Sequence, residues 1–232
     1  MAPGWQGMRM EQKIALVTGA SRGLGRALAE GLGARGWHVV AVARTTGALE
    51  ELDDAVRANG GGGAVTLAPM DVTTPPAMIQ LARAIGERWG GLDFWAHTAH
   101  YAPPLGPATD ISTKDWDKAV ACNIDATRGL ITLLAPLLRV RSGTAVFFED
   151  PQAGRAFYGG YGASKAAQIA LAQSWQAESQ RIGPRVVIDR PAPMPTALRG
   201  RFHPGEGRDG LTHPREEAAR LLAALFDQPA TT

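Results

Sequence analysis

Short apolar runs alternate along the chain with longer amphipathic segments. The apolar runs are nearly continuous, as in strands buried on both faces of a parallel sheet, and the longer segments repeat with the period of a helix. This alternation predicts an α/β fold with helices on both faces of a parallel sheet. The predicted strands are 13–19, 38–44, 64–72, 92–97, 143–148 and 185–190. The predicted helices are 25–36, 46–60, 76–90, 113–139, 158–181 and 213–226.

The alternating pattern starts at Lys13 and continues almost to the end of the chain. We therefore predict a single domain over residues 13–232, preceded by a flexible N-terminus at residues 1–12. The stretch 194–212 is rich in glycine and proline. We expect it to be a mobile lid over the binding site.

Composition narrows the class of protein. Of 232 residues, 45% are apolar and 20% are charged, which is ordinary for a globular domain. A net charge of +2 with scattered arginines argues against a nucleic-acid partner. The only cysteine is Cys122, which we interpret as a packed thiol; it excludes an internal disulfide and suits the cytoplasm. No apolar run reaches the ~18 residues of a membrane span, so we expect no membrane partner.

The segment TGASRGLG, residues 18–25, lies between the first predicted strand and the first predicted helix. Its three glycines, Gly19, Gly23 and Gly25, allow a sharp turn and a close approach of the backbone to a ligand. The helix behind them points its free N–H groups at that ligand, which favours an anion such as pyrophosphate. The position predicts dinucleotide binding.

The residues after the second strand predict which dinucleotide binds. An acidic side chain there would bind a ribose 2′-hydroxyl, but the chain has Arg44, and Arg22 lies in the glycine turn. Two guanidinium groups suit a 2′-phosphate, so NADP(H) is favoured over NAD(H). The alternative is that both arginines are solvated surface residues.

Tyr161 and Lys165 are four residues apart on a predicted helix and therefore share one face. A nearby ammonium group lowers a phenol pKa from about 10 toward neutrality, as a general acid–base requires. Lysine can also donate hydrogen bonds to ribose hydroxyls. Tyr158 has Gly162 rather than lysine four positions later, so it is the weaker candidate.

Together these features resemble the short-chain dehydrogenase/reductase family of the single-domain type. The resemblance rests on TGASRGLG at 18–25, MDV at 70–72, CNIDATRG at 122–129 and YGASK at 161–165. It implies a Rossmann-like doubly wound sheet and hydride transfer between a nicotinamide and a carbonyl or alcohol. The last strand usual in the family has no counterpart in the pattern, so we predict six strands.

The resemblance also implies roles for individual residues. Asp71 would hold the adenine amino group, Val72 would pack against the adenine ring, Asn123 would anchor a water relay and Tyr161 would be the proton donor. The predicted catalytic residues are Tyr161, Lys165 and Asn123. The predicted cofactor-binding residues are Gly19, Ser21, Arg22, Gly23, Leu24, Gly25, Arg44, Asp71, Val72, Ala99, Lys165 and Thr196.

The chain departs from the family where a serine normally donates a hydrogen bond to the substrate. Counting back from Tyr161 reaches Phe148, and counting forward from the fifth strand reaches Glu149 or Asp150. An ionised carboxylate only accepts hydrogen bonds, and losing one oriented donor costs about a hundredfold in rate. The acid could be held protonated and donate, could turn into solvent, or could belong to a turn with no role.

Two further segments depart from the family pattern. After the fourth strand the chain has His97 and His100, where the family has asparagine and glycine. His100 could be a substitute donor; a metal site is not expected, because no third ligand is in sight. Beyond the sixth strand, Met194 replaces a glycine and Thr196 is closer to the preceding proline than usual.

These observations leave two hypotheses about function. The first is an NADP(H)-dependent oxidoreductase acting on a small carbonyl/alcohol pair. The second is a catalytically weak or inactive NADP(H)-binding relative with a sensing or assembly role. By the resemblance, helices 113–139 and 158–181 predict a homodimer. The sequence does not identify the substrate or the direction of the reaction.

Overall fold

The computed structural model describes residues 12–227. Within them, six parallel strands form one sheet, in the order β3-β2-β1-β4-β5-β6. The central strands form because each is an apolar run shielded from water; all five residues of β1, for example, are buried. The strands are β1 (Ile14–Thr18), β2 (His38–Ala43), β3 (Ala64–Pro69), β4 (Phe94–His97), β5 (Thr144–Phe148) and β6 (Arg185–Asp189).

Helices cover both faces of the sheet. They are α1 (Gly23–Ala34), α2 (Thr46–Ala58), α3 (Pro75–Trp89), α4 (Thr113–Ala119), α5 (Ala126–Val140), α6 (Gly159–Ile182), α7 (Ala197–Phe202) and α8 (Pro214–Phe226). Alternate residues of β1 enter different cores. Leu16 packs with α3, α5 and α6, whereas Val17 packs with α1, α2 and α8. This arrangement confirms the predicted doubly wound α/β fold with six parallel strands.

The strand register brings the carboxyl ends of the central strands to one edge. Thr18 at the end of β1 lies opposite Val42 on β2 and His97 on β4. His97 in turn lies opposite Phe147 on β5. The chain order reverses between β1 and β4, and such a reversal opens a crevice at the carboxyl ends of the strands.

The predicted helix 113–139 is interrupted. Residues Val120–Asp125 form a π-helical turn between α4 and α5, so the prediction of one uniform α-helix was wrong. The predicted lid 194–212 also contains a helix, α7, which the glycine and proline content concealed. The predicted flexible N-terminus lies outside the described residues except for residue 12.

We searched the helices of residues 12–227 for a membrane span. Among them, no helix combines the length and the apolar character that crossing a membrane requires.

Candidate active site

A cleft of about 1040 Å³ opens at the carboxyl ends of the strands. All twelve predicted cofactor-binding residues line it, together with Tyr161, so the structure brings these side chains and backbone segments together. Asn123 is the exception, because it is fully buried beneath the cleft wall. The roles predicted for these residues stay predictions.

The glycine turn forms one end of the cleft. Gly19 has a φ of +90°, and a Cβ there would lie 2.6 Å from the backbone nitrogen of Ala99. A side chain on Gly25 would collide with Thr98 Oγ1 and the Gly19 carbonyl. The close packing explains why this turn needs glycine. At the start of α1, no side chain caps the helix and its first turn carries no acid, so the N–H groups there can bind an anion.

Two cations border this end of the cleft. Arg22 is exposed, and within residues 12–227 it has no hydrogen-bond or ion-pair partner through its side chain. The Arg44 side chain is 72% exposed, and its guanidinium lies 3.9 Å from Asp71, a loose ion pair. Asp71 Oδ1 accepts hydrogen bonds from the nitrogen and the hydroxyl of Thr73, at 2.9 and 2.8 Å. Both arginines therefore remain available to an anionic ligand.

The two adjacent acids after β5 point in different directions. Glu149 Oε2 accepts hydrogen bonds from the Arg190 guanidinium at 3.0 and 2.9 Å. Asp150 lines the cleft, and its Oδ2 accepts a 2.9 Å hydrogen bond from the Tyr161 hydroxyl. Asp150 thus occupies the place beside the tyrosine where the family resemblance implies a serine.

The pKa of Tyr161 is raised in this structure, whereas the nearby Lys165 was predicted to lower it. Burial, followed by the charge and the hydrogen bond of Asp150, raises the pKa of Tyr161 above its usual value. The Lys165 ammonium group donates instead to Gln168 Oε1 at 2.5 Å. Burial lowers the pKa of Lys165 to about 8, although Asp150 opposes the shift. The phenol therefore keeps its proton at neutral pH.

A buried row of hydrogen bonds lies between Lys165 and the glycine turn. Gln168 Nε2 donates to Thr127 Oγ1 at 2.9 Å, and this hydroxyl also lies 2.9 Å from His97 Nε2. His97 Nδ1 is 2.8 Å from Thr18 Oγ1 at the end of β1. Burial, followed by the charges of Lys165 and His100, lowers the pKa of His97 to about 3, so its ring is neutral.

Asn123 lies in the π-helical turn and connects three segments. Its Nδ2 donates to the Tyr101 carbonyl at 2.8 Å and to Ser164 Oγ at 2.9 Å. Its Oδ1 accepts a 2.8 Å hydrogen bond from the Tyr101 nitrogen. The side chain therefore holds the loop after β4 against α6. Its backbone carbonyl accepts a 2.8 Å hydrogen bond from Thr127 Oγ1, and the predicted water relay stays a prediction.

His100 lies in the cleft beside the tyrosine, with 6.3 Å between the two ring centroids. Its Nδ1 is 3.0 Å from the Thr98 carbonyl, which can only accept, so Nδ1 carries the proton. Partial burial and the charge of Lys165 lower the pKa of His100, which keeps the ring neutral. A neutral ring with a protonated Nδ1 offers only the lone pair of Nε2. In this geometry His100 would face the cleft as an acceptor, and its suggested role as a substitute donor stays a prediction.

Sequence reasoning missed several residues around Tyr161 and Lys165. The Phe202 ring on α7 lies 5.1 Å from the Tyr161 ring, and Arg201 donates to the Ala102 carbonyl. Gln168 could have been found from its position three residues after Lys165, on the same helix face. Phe202 carries no such signal, because its contact depends on the path of the whole segment 194–212.

The remaining candidate residues, Tyr158 and Cys122, pack inside the protein. Tyr158 is buried, and its hydroxyl lies 3.3 Å from His203 Nε2. Cys122 packs against the core, where burial raises its pKa to about 11. Within residues 12–227, no three potential metal ligands come together.

A doubly wound sheet with a glycine turn, two exposed guanidinium groups and a Tyr–Lys pair defines a dinucleotide-binding protein of the Rossmann type. The sequence model of the family described as short chain dehydrogenase matches residues 13–207. The chain therefore belongs to the short-chain dehydrogenase family. The family's members are oxidoreductases, and this confirms the predicted class.

Similar proteins support this assignment. The D-threitol dehydrogenase of Mycolicibacterium smegmatis is 28% identical over 96% of this chain and 89% of its own. A short chain dehydrogenase from Salmonella enterica has a similar structure, with a TM-score of 0.82 and 27% identity over 93% and 88% of the two chains. A Shigella flexneri protein solved as a complex with NADP has a TM-score of 0.79 and 28% identity, over 88% and 86%.

Proposed function

We propose that this protein is an NADP(H)-dependent oxidoreductase that transfers hydride between the nicotinamide and a small carbonyl-type substrate. One observation carries the proposal. The cleft joins an uncapped helix N-terminus and two free cations at one end to Tyr161 and Lys165 at the other. This arrangement fits a nucleotide whose phosphates lie at the first end and whose reactive ring reaches the second.

The residues of the cleft fit such a nucleotide. The glycine turn leaves no room for side chains and presents backbone N–H groups to a pyrophosphate. Arg22 and Arg44 are placed for a 2′-phosphate, and Asp71 with Val72 for the adenine. When bound, the nicotinamide supplies or accepts the hydride.

Lys165 would turn from Gln168 toward ribose hydroxyls, and Thr196 and Ala99, which lie against Gly23 and Gly19 of the glycine turn, would contact the nucleotide there. The Tyr161 hydroxyl, which donates to Asp150 Oδ2 in the free protein, would lie beside the substrate. The homologous structure with NADP supports the choice of nucleotide.

The preference for NADP(H) can be tested with the two arginines. Each charge-assisted contact with a phosphate contributes about 1.5–3 kcal/mol, so Arg22→Ala and Arg44→Ala should each weaken NADPH binding roughly 10–100-fold. NADH binding should change little, because NADH lacks the 2′-phosphate. Fluorescence titration measures both affinities. Arg57→Ala, on the outer surface of α2 and paired with Asp53, is the matched control. Equal affinity of the native protein for both nucleotides would contradict the preference.

Turnover distinguishes this function from the second candidate, a catalytically weak nucleotide-binding protein. The observation favouring that candidate is Asp150, which raises the pKa of the tyrosine that must exchange a proton. We expect NADPH oxidation with a panel of aldehydes, diketones and cyclic imines, and, for the aldehydes and diketones, a loss of at least about 100-fold in Tyr161→Phe. NADPH binding without turnover of any compound would instead favour the second candidate.

We also propose that the chain forms a homodimer through α5 and α6 and acts in the cytoplasm. Val140 and Ile182, near the ends of these helices, expose 73% and 81% of their surface, which supports an apolar interface. The free thiol of Cys122 suits a reducing compartment. Light scattering after gel filtration should give twice the chain mass, and a monomer would contradict the proposed interface.

A further inference from the structure

The surroundings of the Tyr161 hydroxyl accept hydrogen bonds and do not donate them. Asp150 Oδ2 accepts a hydrogen bond from the Tyr161 hydroxyl, and its Oδ1 accepts no hydrogen bond from any residue between 12 and 227. The neighbouring carboxylate, Glu149, is already paired with Arg190. Asp150 is therefore the carboxylate that the cleft offers to a ligand beside the reacting position.

The other charged groups near Asp150 do not neutralise its negative charge. Arg199 is paired with Glu206 through two contacts of 2.6 Å. Lys165 donates to Gln168, and His100 presents an unprotonated Nε2. Two acceptors, one anionic and one neutral, thus flank the place where the family resemblance implies an oriented donor.

This pattern opposes carbonyl reduction and favours a nitrogen substrate. When a C=O bond is reduced, negative charge develops on oxygen, and a carboxylate a few ångströms away destabilises it. When a protonated C=N bond is reduced, positive charge on nitrogen disappears. A carboxylate binds that cation in the ground state, and its N–H group supplies the hydrogen bond that Oδ1 lacks.

We propose that this site reduces protonated imines, with the substrate N–H⁺ bound by Asp150 and the ring nitrogen of His100. The inference rests on the hydride transfer of the proposed function and replaces its carbonyl substrate with an imine. The imine carbon receives the hydride supplied by NADPH, the C=N π pair becomes the lone pair on nitrogen, and the products are a neutral amine and NADP⁺. No proton has to leave Tyr161 in this step, which agrees with a phenol that holds its proton.

Two bicyclic compounds of similar size test the substrate class. The probes are 3,4-dihydroisoquinoline, a cyclic imine, and 1-tetralone, the corresponding ketone. We expect the native protein to show a kcat/KM at least about tenfold higher for the imine. The isosteric Asp150→Asn should lower the value for the imine by about 10–100-fold, as loss of a charged hydrogen bond predicts. Asp150→Ser should lower it similarly while raising the value for the ketone.

If Asp150 had only a structural role, Asp150→Asn would lower kcat/KM for the imine and for the ketone together, and that result would overturn the proposal. Glu149→Gln is the matched control: it removes a charge one residue away, and the ratio of imine to ketone activity should not change.

Binding gives a readout that is independent of turnover. Calorimetry on the protein without nucleotide should show that it binds 1,2,3,4-tetrahydroisoquinoline, a cationic amine, at least about tenfold more tightly than 1-tetralol. Asp150→Asn should abolish this difference in affinity. Equal binding of amine and alcohol would overturn this inference. Failure to bind NADPH would instead overturn the proposed function, so the two failures are distinguishable.

Discussion

At the scale of single residues, the chemistry of this cleft depends on which of two adjacent acids faces the tyrosine. Sequence spacing correctly placed Tyr161 and Lys165 in one site, because residues four apart share a helix face. The choice between Glu149 and Asp150 could not be made this way. It depends on Arg190, which is 41 residues from Glu149 and holds its carboxylate. The local sequence around Glu149 and Asp150 carries no signal of such a long-range ion pair.

The pKa of Tyr161 should respond to the acid beside it. Asp150→Ser removes both the carboxylate charge and the accepted hydrogen bond, so the pKa of Tyr161 should fall toward the ordinary phenol value. Burial is the larger cause and remains, so the pKa should stay above that value. Near-ultraviolet absorbance of tyrosinate during a pH titration measures it, with the double variant Asp150→Ser/Tyr161→Phe identifying the signal. An unchanged titration would show that Asp150 does not act on the phenol.

At the scale of elements, the strands were the most predictable part of the fold. The central strands are apolar runs buried on both sides, so their composition alone distinguishes them from the amphipathic helices. The π-helical turn Val120–Asp125 was not predictable, because apolar spacing is similar on both sides of it. Its cause lies in tertiary contacts: Asn123 bonds to Tyr101 and Ser164, on two other segments of the chain.

Asn123 should therefore be a structural residue in addition to any catalytic role. Asn123→Ala deletes three buried hydrogen bonds and leaves their partners unsatisfied, so the free energy of unfolding should fall by about 2–4 kcal/mol. Urea unfolding measures the loss. Asp125→Ala, exposed on the same turn, should change stability by less than about 0.5 kcal/mol. If both variants unfolded alike, the hydrogen bonds of Asn123 would not be holding the turn.

At the scale of the whole molecule, the two apolar layers supply stability and the sheet edge between them carries the buried polar groups. Lys165 is 6% exposed and lies at that edge. Its folded pKa of about 8 lies below the value of 10.5 expected when unfolded, so the unfolded state binds the proton more readily. Stability therefore rises with pH between these two values. Burying this amine costs the fold stability near neutral pH.

Replacing the lysine should reveal this cost. Relative to the native protein, Lys165→Met should gain stability near pH 7, and the difference should shrink by roughly 2 kcal/mol between about pH 8 and pH 10. The stability lost with the hydrogen bond to Gln168 does not vary with pH. A stability difference that changes with pH therefore reports the depressed pKa of Lys165. Chemical unfolding at several pH values measures it, with the exposed Lys114→Met as control. A difference that is constant with pH would contradict the depressed pKa of Lys165.

The hydrogen bonds of the buried row beneath the cleft have fixed donors and acceptors, and this limits proton transfer along the row. Thr127 gives its only hydroxyl hydrogen to the Asn123 carbonyl, so it must accept from both Gln168 and His97. Donors from the two ends thus converge on one oxygen, and no continuous donor-to-acceptor path connects the lysine with the glycine turn. Along this row, therefore, protons do not pass between Lys165 and the glycine turn.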